Sequence, residues 1–293
     1  MDTLGGSYHF VSDVALPGIW LPNRQILRKP WWLPGRPLSR DEREARDAVM
    51  PAAFVAERAK GTGTAAASYN VTVASITTGN HLIILVVVGI PASGSCAVTS
   101  VTDNAAGGSN TYTVDVGTPS VQITSVEGCY ICSGWIDPGK GAPTQLTINI
   151  SVTATIAWKV EEFSGLNSTG WFDTGQVAAG QTTTAQTSPS ATPARSGELA
   201  VGGFVVARIE SAWTVGAIGS QTSVQAGTTR NANPDLAFEY VLSCDAGSQT
   251  AAGTWATAPA TTASSKDLIA FYEPPPKSLV GLANRAQRRF ARR

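Results

Sequence analysis

Asn80-His-Leu-Ile-Ile-Leu-Val-Val-Val-Gly-Ile-Pro91 is the most apolar run of the chain and decides how the rest is read. It is rich in β-branched residues, opens after Gly79-Asn80 and is stopped by Pro91, which favours a strand over a helix. With no polar face, the strand must be buried on both sides, at the centre of an all-β domain. A membrane-spanning helix needs about 20 apolar residues, and this run is far shorter.

Composition agrees with that reading. The chain has 293 residues, 43% apolar and only 14% charged, with 29 Gly and 17 Pro, which suits short strands joined by turns. One large β domain with arms accounts for the length: an arm over residues 1–60, a β-sandwich over 61–276 and a tail over 277–293. The formal charge of zero hides a partition in which these segments carry +2, −8 and +6. An acidic body with a basic tail suits a piece that docks on copies of itself or on a neighbour.

The arm holds Pro17, Pro22, Pro30, Pro34 and Pro37 together with Trp20, Trp31 and Trp32. Such proline density enforces an extended course, so these indole rings must pack on the body or on another subunit. From Ser39 the pattern becomes a short helix, capped by Ser39 with Asp41 and Glu42 in its first turn, then a second turn near Phe54 and Val55 and a linker at Gly61-Thr-Gly-Thr64. In the tail, Ser278 caps a helix with Leu279, Leu282 and Phe290 on one face and Arg285, Arg288 and Arg289 among the residues covering the rest. Docking into a protein partner suits this tail better than membrane or nucleic acid.

Within the body, Gln145–Val160 alternates, placing Leu146, Ile148, Ile150, Ile156, Trp158 and Val160 on one face, with a tight turn expected near Val152–Ala154. The two halves of the body echo each other: His81-Leu-Ile83 in Glu198-Leu-Ala200, Cys129-Tyr-Ile-Cys132 in Glu239-Tyr-Val-Leu242, and Ile156-Ala-Trp158 in Leu268-Ile-Ala270. Two such four-stranded sets would form one jelly roll.

The chemistry sought is not there to read. No nucleophile elbow, metalloprotease helix, P-loop or dinucleotide fingerprint is present, and His9 and His81 are the only histidines. Cys129-x-x-Cys132 is half a zinc site without a second half, and buried thiols in strands are expected instead. Glu161-Glu162 point to opposite strand faces and cannot serve one cleft as a glycosidase pair. Asp103, Asp115, Asp137, Asp173 and Asp245 are expected in turns. Met1–Gly6 shows no secretory leader, so synthesis in a reducing cytoplasm is expected. No enzyme activity, metal or cofactor is expected.

Three segments carry a resemblance: Val98-Thr-Ser-Val-Thr-Asp103-Asn104, Asn110-Thr-Tyr-Thr-Val114 and Val160-Glu-Glu-Phe-Ser-Gly-Leu166. Together they resemble a jelly-roll-like β-sandwich domain of tailed-bacteriophage structural proteins and some bacterial surface proteins, over roughly residues 65–275. The resemblance implies a non-enzymatic virion protein, made in the host cytoplasm, that decorates or reinforces a capsid. Its expected partners are the major capsid protein, other virion proteins and further copies of itself, with no nucleic acid or membrane. The alternative is a carbohydrate-binding tail or fibre module, with Trp171 and Trp213, both beside expected loops, as the glycan-stacking residues.

Overall fold

Each residue from His81 to Val88 is fully buried, as a strand covered on both faces requires. The computed structural model describes residues 51–121, 127–179, 182–206, 212–229, 235–257 and 266–274. Trp20, Trp31, Trp32, the helix expected from Ser39, and Leu279, Leu282, Arg285, Arg288, Arg289 and Phe290 lie outside them.

The described residues are all-β and antiparallel, with no helix. The first half contains β1 (Ala53–Thr72), β2 (His81–Val88), β3 (Ser95–Cys96), β4 (Val98–Asp103), β5 (Thr111–Thr118), β6 (Ser120–Val121), β7 (Gly128–Trp135) and β8 (Gln145–Ser164). The second contains β9 (Phe172–Ala179), β10 (Ala185–Thr187), β11 (Leu199–Val206), β12 (Trp213–Ile218), β13 (Gln221–Thr222), β14 (Val224–Thr229), β15 (Asp235–Val241), β16 (Ala251–Trp255) and β17 (Lys266–Tyr272).

The same pairing scheme occurs twice. In the first half the order is β1-β8-β2-β7-β5, and β4 pairs with the start of β8. In the second, β9-β17-β11-β15-β14 forms one sheet and β10-β16-β12-β13 another. Thus β11 stands where β2 does, β15 where β7 does and β14 where β5 does. β9 and β10 divide between them the work of the 20-residue β1, and β17 and β16 that of the 20-residue β8. Each half closes its own apolar layer. Leu82, Ile84 and Val86 meet Leu146, Ile148 and Ile150 in one. Phe204 and Val206 meet Trp213, Ala251 and Trp255 in the other. The opposite faces of the two large sheets then meet each other through Ile83, Leu85, Val87 and Ile131 against Val201, Val205, Phe238 and Leu268. Each such side chain contributes about 1.5–3 kcal/mol on burial. β5 comes against β9, and β1 against β14.

Several expectations are corrected. Phe54 and Val55 belong to β1 and not to a helical turn, and β1 runs through the expected linker Gly61–Thr64. The alternation there is masked by Glu57 and Arg58, whose partners lie across the sheet, and by Lys60, which pairs with Glu57 on its own strand. The turn at Val152–Ala154 is likewise absent, because β8 is continuous and bends instead. At the bend the β1–β8 register shifts twice: β1 carries an extra residue between Gly63 and Ala66, and β8 carries the extra residues between Asn149 and Ala154. There the Tyr69 hydroxyl accepts from the Ala66 amide at 2.9 Å and donates to the Ala154 carbonyl, while its ring covers Gly63. A Cβ on Gly63 would come 2.2 Å from that ring, so the bend needs glycine.

The internal echoes fall on equivalent strands, but each pairs residues of opposite faces. Leu82 and Ile156 face their own half's layer, whereas Leu199 and Leu268 face the other sheet. Cys129 faces the other sheet, whereas Glu239, between Phe238 and Tyr240, points away from it. The echoes do not give one sheet each to a single sandwich, since each half builds two layers of its own.

Candidate functional site

The described residues form a cleft of about 260 Å³ at the corner where β5 approaches β9, lined by Thr113, Val114, Asp115, Gly170, Trp171 and Phe172. A bulge creates its polar group. Val114 pairs with Cys132 and Val116 with Ile131, which leaves Asp115 as the extra residue of β5. Thr113 Oγ1 donates to Asp115 Oδ1 at 2.5 Å and the Tyr272 hydroxyl to Oδ2 at 2.9 Å, with the Ser133 hydroxyl as a further partner. Burial pushes the Asp115 carboxyl up from its usual range, and these hydroxyls oppose that shift.

Trp171 is fixed from behind. Its indole Nε1–H donates to Ser133 Oγ at 2.7 Å, and the His81 ring meets it edge-on at 5.3 Å between centroids. Burial lowers the His81 pKa to about 4, so this imidazole is neutral at physiological pH. Half-buried Trp171 and Phe172, the exposed Val114 and a hydrogen-bonded carboxylate combine apolar surface with an acceptor. That is the chemistry a sugar ring presents in complement, with a C–H face and hydroxyl donors.

Trp213 does not belong to this site. It is 6% exposed, and its ring packs on Phe204 at 4.4 Å and on Trp255 at 4.7 Å. Expected beside a loop, Trp213 is the first residue of β12 and turns inward over Gly253. It is therefore removed from the glycan-stacking candidates.

The other candidates resolve structurally. Cys129 and Cys132 are buried on opposite faces of β7, so they cannot hold one ion, and burial pushes both thiols well up. Among the described residues no three His, Cys, Asp or Glu side chains converge as a metal site would require. Glu161 and Glu162 do point oppositely, but both are fully buried mid-strand. Glu162 accepts from Arg58 at 2.5 Å, from Asn80 and from the Thr77 amide at 3.2 Å. Asp103 accepts from the Ala105 and Asn110 amides, the Asn110 side chain and the Tyr112 hydroxyl. This is the bond set that gives Asp103…Asn110-Thr-Tyr112 its distinctive pattern.

Asp115, Ser133 and Tyr272 were not singled out from sequence for a site. Nothing in their local spacing marks them, because a bulge and a contact between distant strands bring them together. Comparison of the chain with known protein families, curated proteins and solved structures finds no match.

Proposed function

We propose that the chain is a non-enzymatic structural protein of a tailed-phage virion, decorating or reinforcing the capsid through contacts with the major capsid protein, other virion proteins or its own copies. The observation that carries this reading is the duplicated build: two layered units joined through a continuous apolar face give a stiff block suited to bearing load. The finer reading proposed with it, a jelly-roll-like arrangement within each half and not one across the whole body, is supported by the second unit, where β14, β15, β11, β17 and β9 make one five-stranded sheet. β10, β12, β13 and β16 make the other, so that the chain passes repeatedly between sheets. Labelled antibody on purified particles tests the function. Dense labelling of heads is expected, and protein confined to the cytoplasm of infected cells would overturn it.

The cleft favours a second reading, a carbohydrate-binding tail or fibre module with Trp171 and Phe172 as the apolar platform and Asp115 as acceptor. It expects binding on a cell-wall glycan array that is lost in Trp171→Ala. An array without signal would remove it.

A further inference from the structure

At the opposite corner, where β1 approaches β14, β1 and β8 place four charged side chains on one face: Glu57, Lys159 and Glu161, with the exposed Lys60 paired to Glu57 Oε1 at 3.1 Å from the solvent side. Glu57 pairs directly with Glu161, and Lys159 lies two residues before Glu161, so all three leave the sheet on the same side. Lys159 is completely buried. Its Nζ forms an ion pair with Glu57 and lies 2.9 Å from Glu161 Oε1. Glu161 Oε2 has no hydrogen-bond partner among the described residues. Phe163 shares this face of β8, with the rings of Phe54 and Tyr240 packed on it at 5.6 and 5.3 Å. Three ionisable groups are thus held in contact beside an apolar wall, where an unrelieved charge costs several kcal/mol.

We propose that Lys159 and Glu57 condense to an intramolecular amide, with Glu161 carrying the proton. Glu161 takes a proton from the Lys159 ammonium, and the freed amine lone pair adds to the Glu57 carboxyl carbon, forming the C–N bond. Glu161 returns its proton to a Glu57 oxygen. A second proton leaves the nitrogen for the same oxygen, the C–O bond breaks and water departs. Ammonium and carboxylate become amide and water, with no oxidation change and no co-reactant, and Glu161 ends as it began.

Two features drive the step. Contact between the reacting groups replaces a bimolecular encounter, an advantage reaching about 10⁵–10⁸ M in well-oriented cases. Burial, its largest cause, raises the Glu161 pKa to about 7, which suits a group that must accept and return a proton near neutrality. The product removes two charges, one of them on the fully buried Lys159, and fastens β1, an edge strand, to β8. This inference is independent of the virion reading.

The test is the mass of the folded full-length chain and its tryptic peptides. The wild type is expected to weigh one water less than its sequence. After denaturation, trypsin should spare Lys159 and release residues 47–58 joined to residues 141–195. Glu161→Gln keeps the shape of the side chain and should fold, as judged by circular dichroism, yet retain the full mass and be cut after Lys159. Wild-type protein of full mass with free Lys159 would overturn the proposal, whatever the variant does. A wild-type linkage that persists in folded Glu161→Gln would overturn the role given to Glu161.

Discussion

The Tyr272 hydroxyl reaches across the interlayer to Asp115, joining the last strand of the second unit to the edge strand of the first at 2.9 Å. A buried carboxylate that loses one donor is left partly unsatisfied, which costs about 1–3 kcal/mol. Tyr272→Phe should lower the urea midpoint accordingly, while Phe172, whose ring meets Tyr272 edge-on, keeps its packing. An unchanged midpoint would show that the hydroxyl contributes nothing net.

A chain beginning at residue 61 should fold poorly or not at all, whereas one beginning at residue 51 should fold. The shorter chain lacks Arg58 and Glu57 and leaves Glu162 and Lys159 as buried charges without these partners. Breaking a buried pair costs about 3–5 kcal/mol. Thermal melts of the two chains decide it, and equal melting temperatures would refute the assignment of Ala53–Lys60 to the core sheet.

The two tryptophans should separate by stability. Trp213→Ala opens a cavity between Phe204 and Trp255, with an expected loss of about 3–5 kcal/mol. Trp171→Ala removes a half-buried ring and one hydrogen bond to Ser133, so its loss should be less than half of that. Equilibrium unfolding of both variants measures the difference.

Stability should fall between about pH 4.5 and 8. Burial raises Glu127, Glu198, Glu239 and Asp267 to about 7. A carboxyl with a raised folded pKa binds its proton more tightly when folded, so its contribution is full below the unfolded value and is lost as pH rises through about 7. His81, lowered to about 4, works the other way and costs stability as pH falls below its unfolded value of about 6.5. Glu161, also raised to about 7 by burial, joins the four carboxyls, while Glu57, lowered despite its burial by its bonds to Lys159 and Lys60, acts with His81. Five carboxyls against two groups leave a net decline with pH. Melting temperatures at pH 5 and pH 8 check the sign, and a higher value at pH 8 would contradict it.

What could be read in advance follows from which forces act locally. The buried β2 was legible, since an apolar run bounded by turn residues declares itself. β9 and β14 were not, because edge strands such as Phe-Asp-Thr-Gly-Gln-Val-Ala-Ala carry glycine and polar residues in place of clean alternation. Facing is harder still, as a slip of one residue inverts it, and this is why the halves could be matched strand for strand but not face for face. Trp171 was legible as a ring near a loop. Trp213 looked the same, and only its position within β12 tells them apart.

The interlayer has a symmetry of its own. β5 on β9 is the image of β14 on β1, and β7 on β17 is the image of β15 on β8, so strand i meets j wherever the counterpart of j meets the counterpart of i. Between separate molecules this would be an isologous, two-fold interface, and a polypeptide of half the length would present it as a homodimer. Fusion into one chain makes the association independent of concentration. It also releases the two corners from identity, which a homodimer could not do. One corner now holds the Trp171–Asp115 cleft, and its image holds Glu57, Lys159 and Glu161.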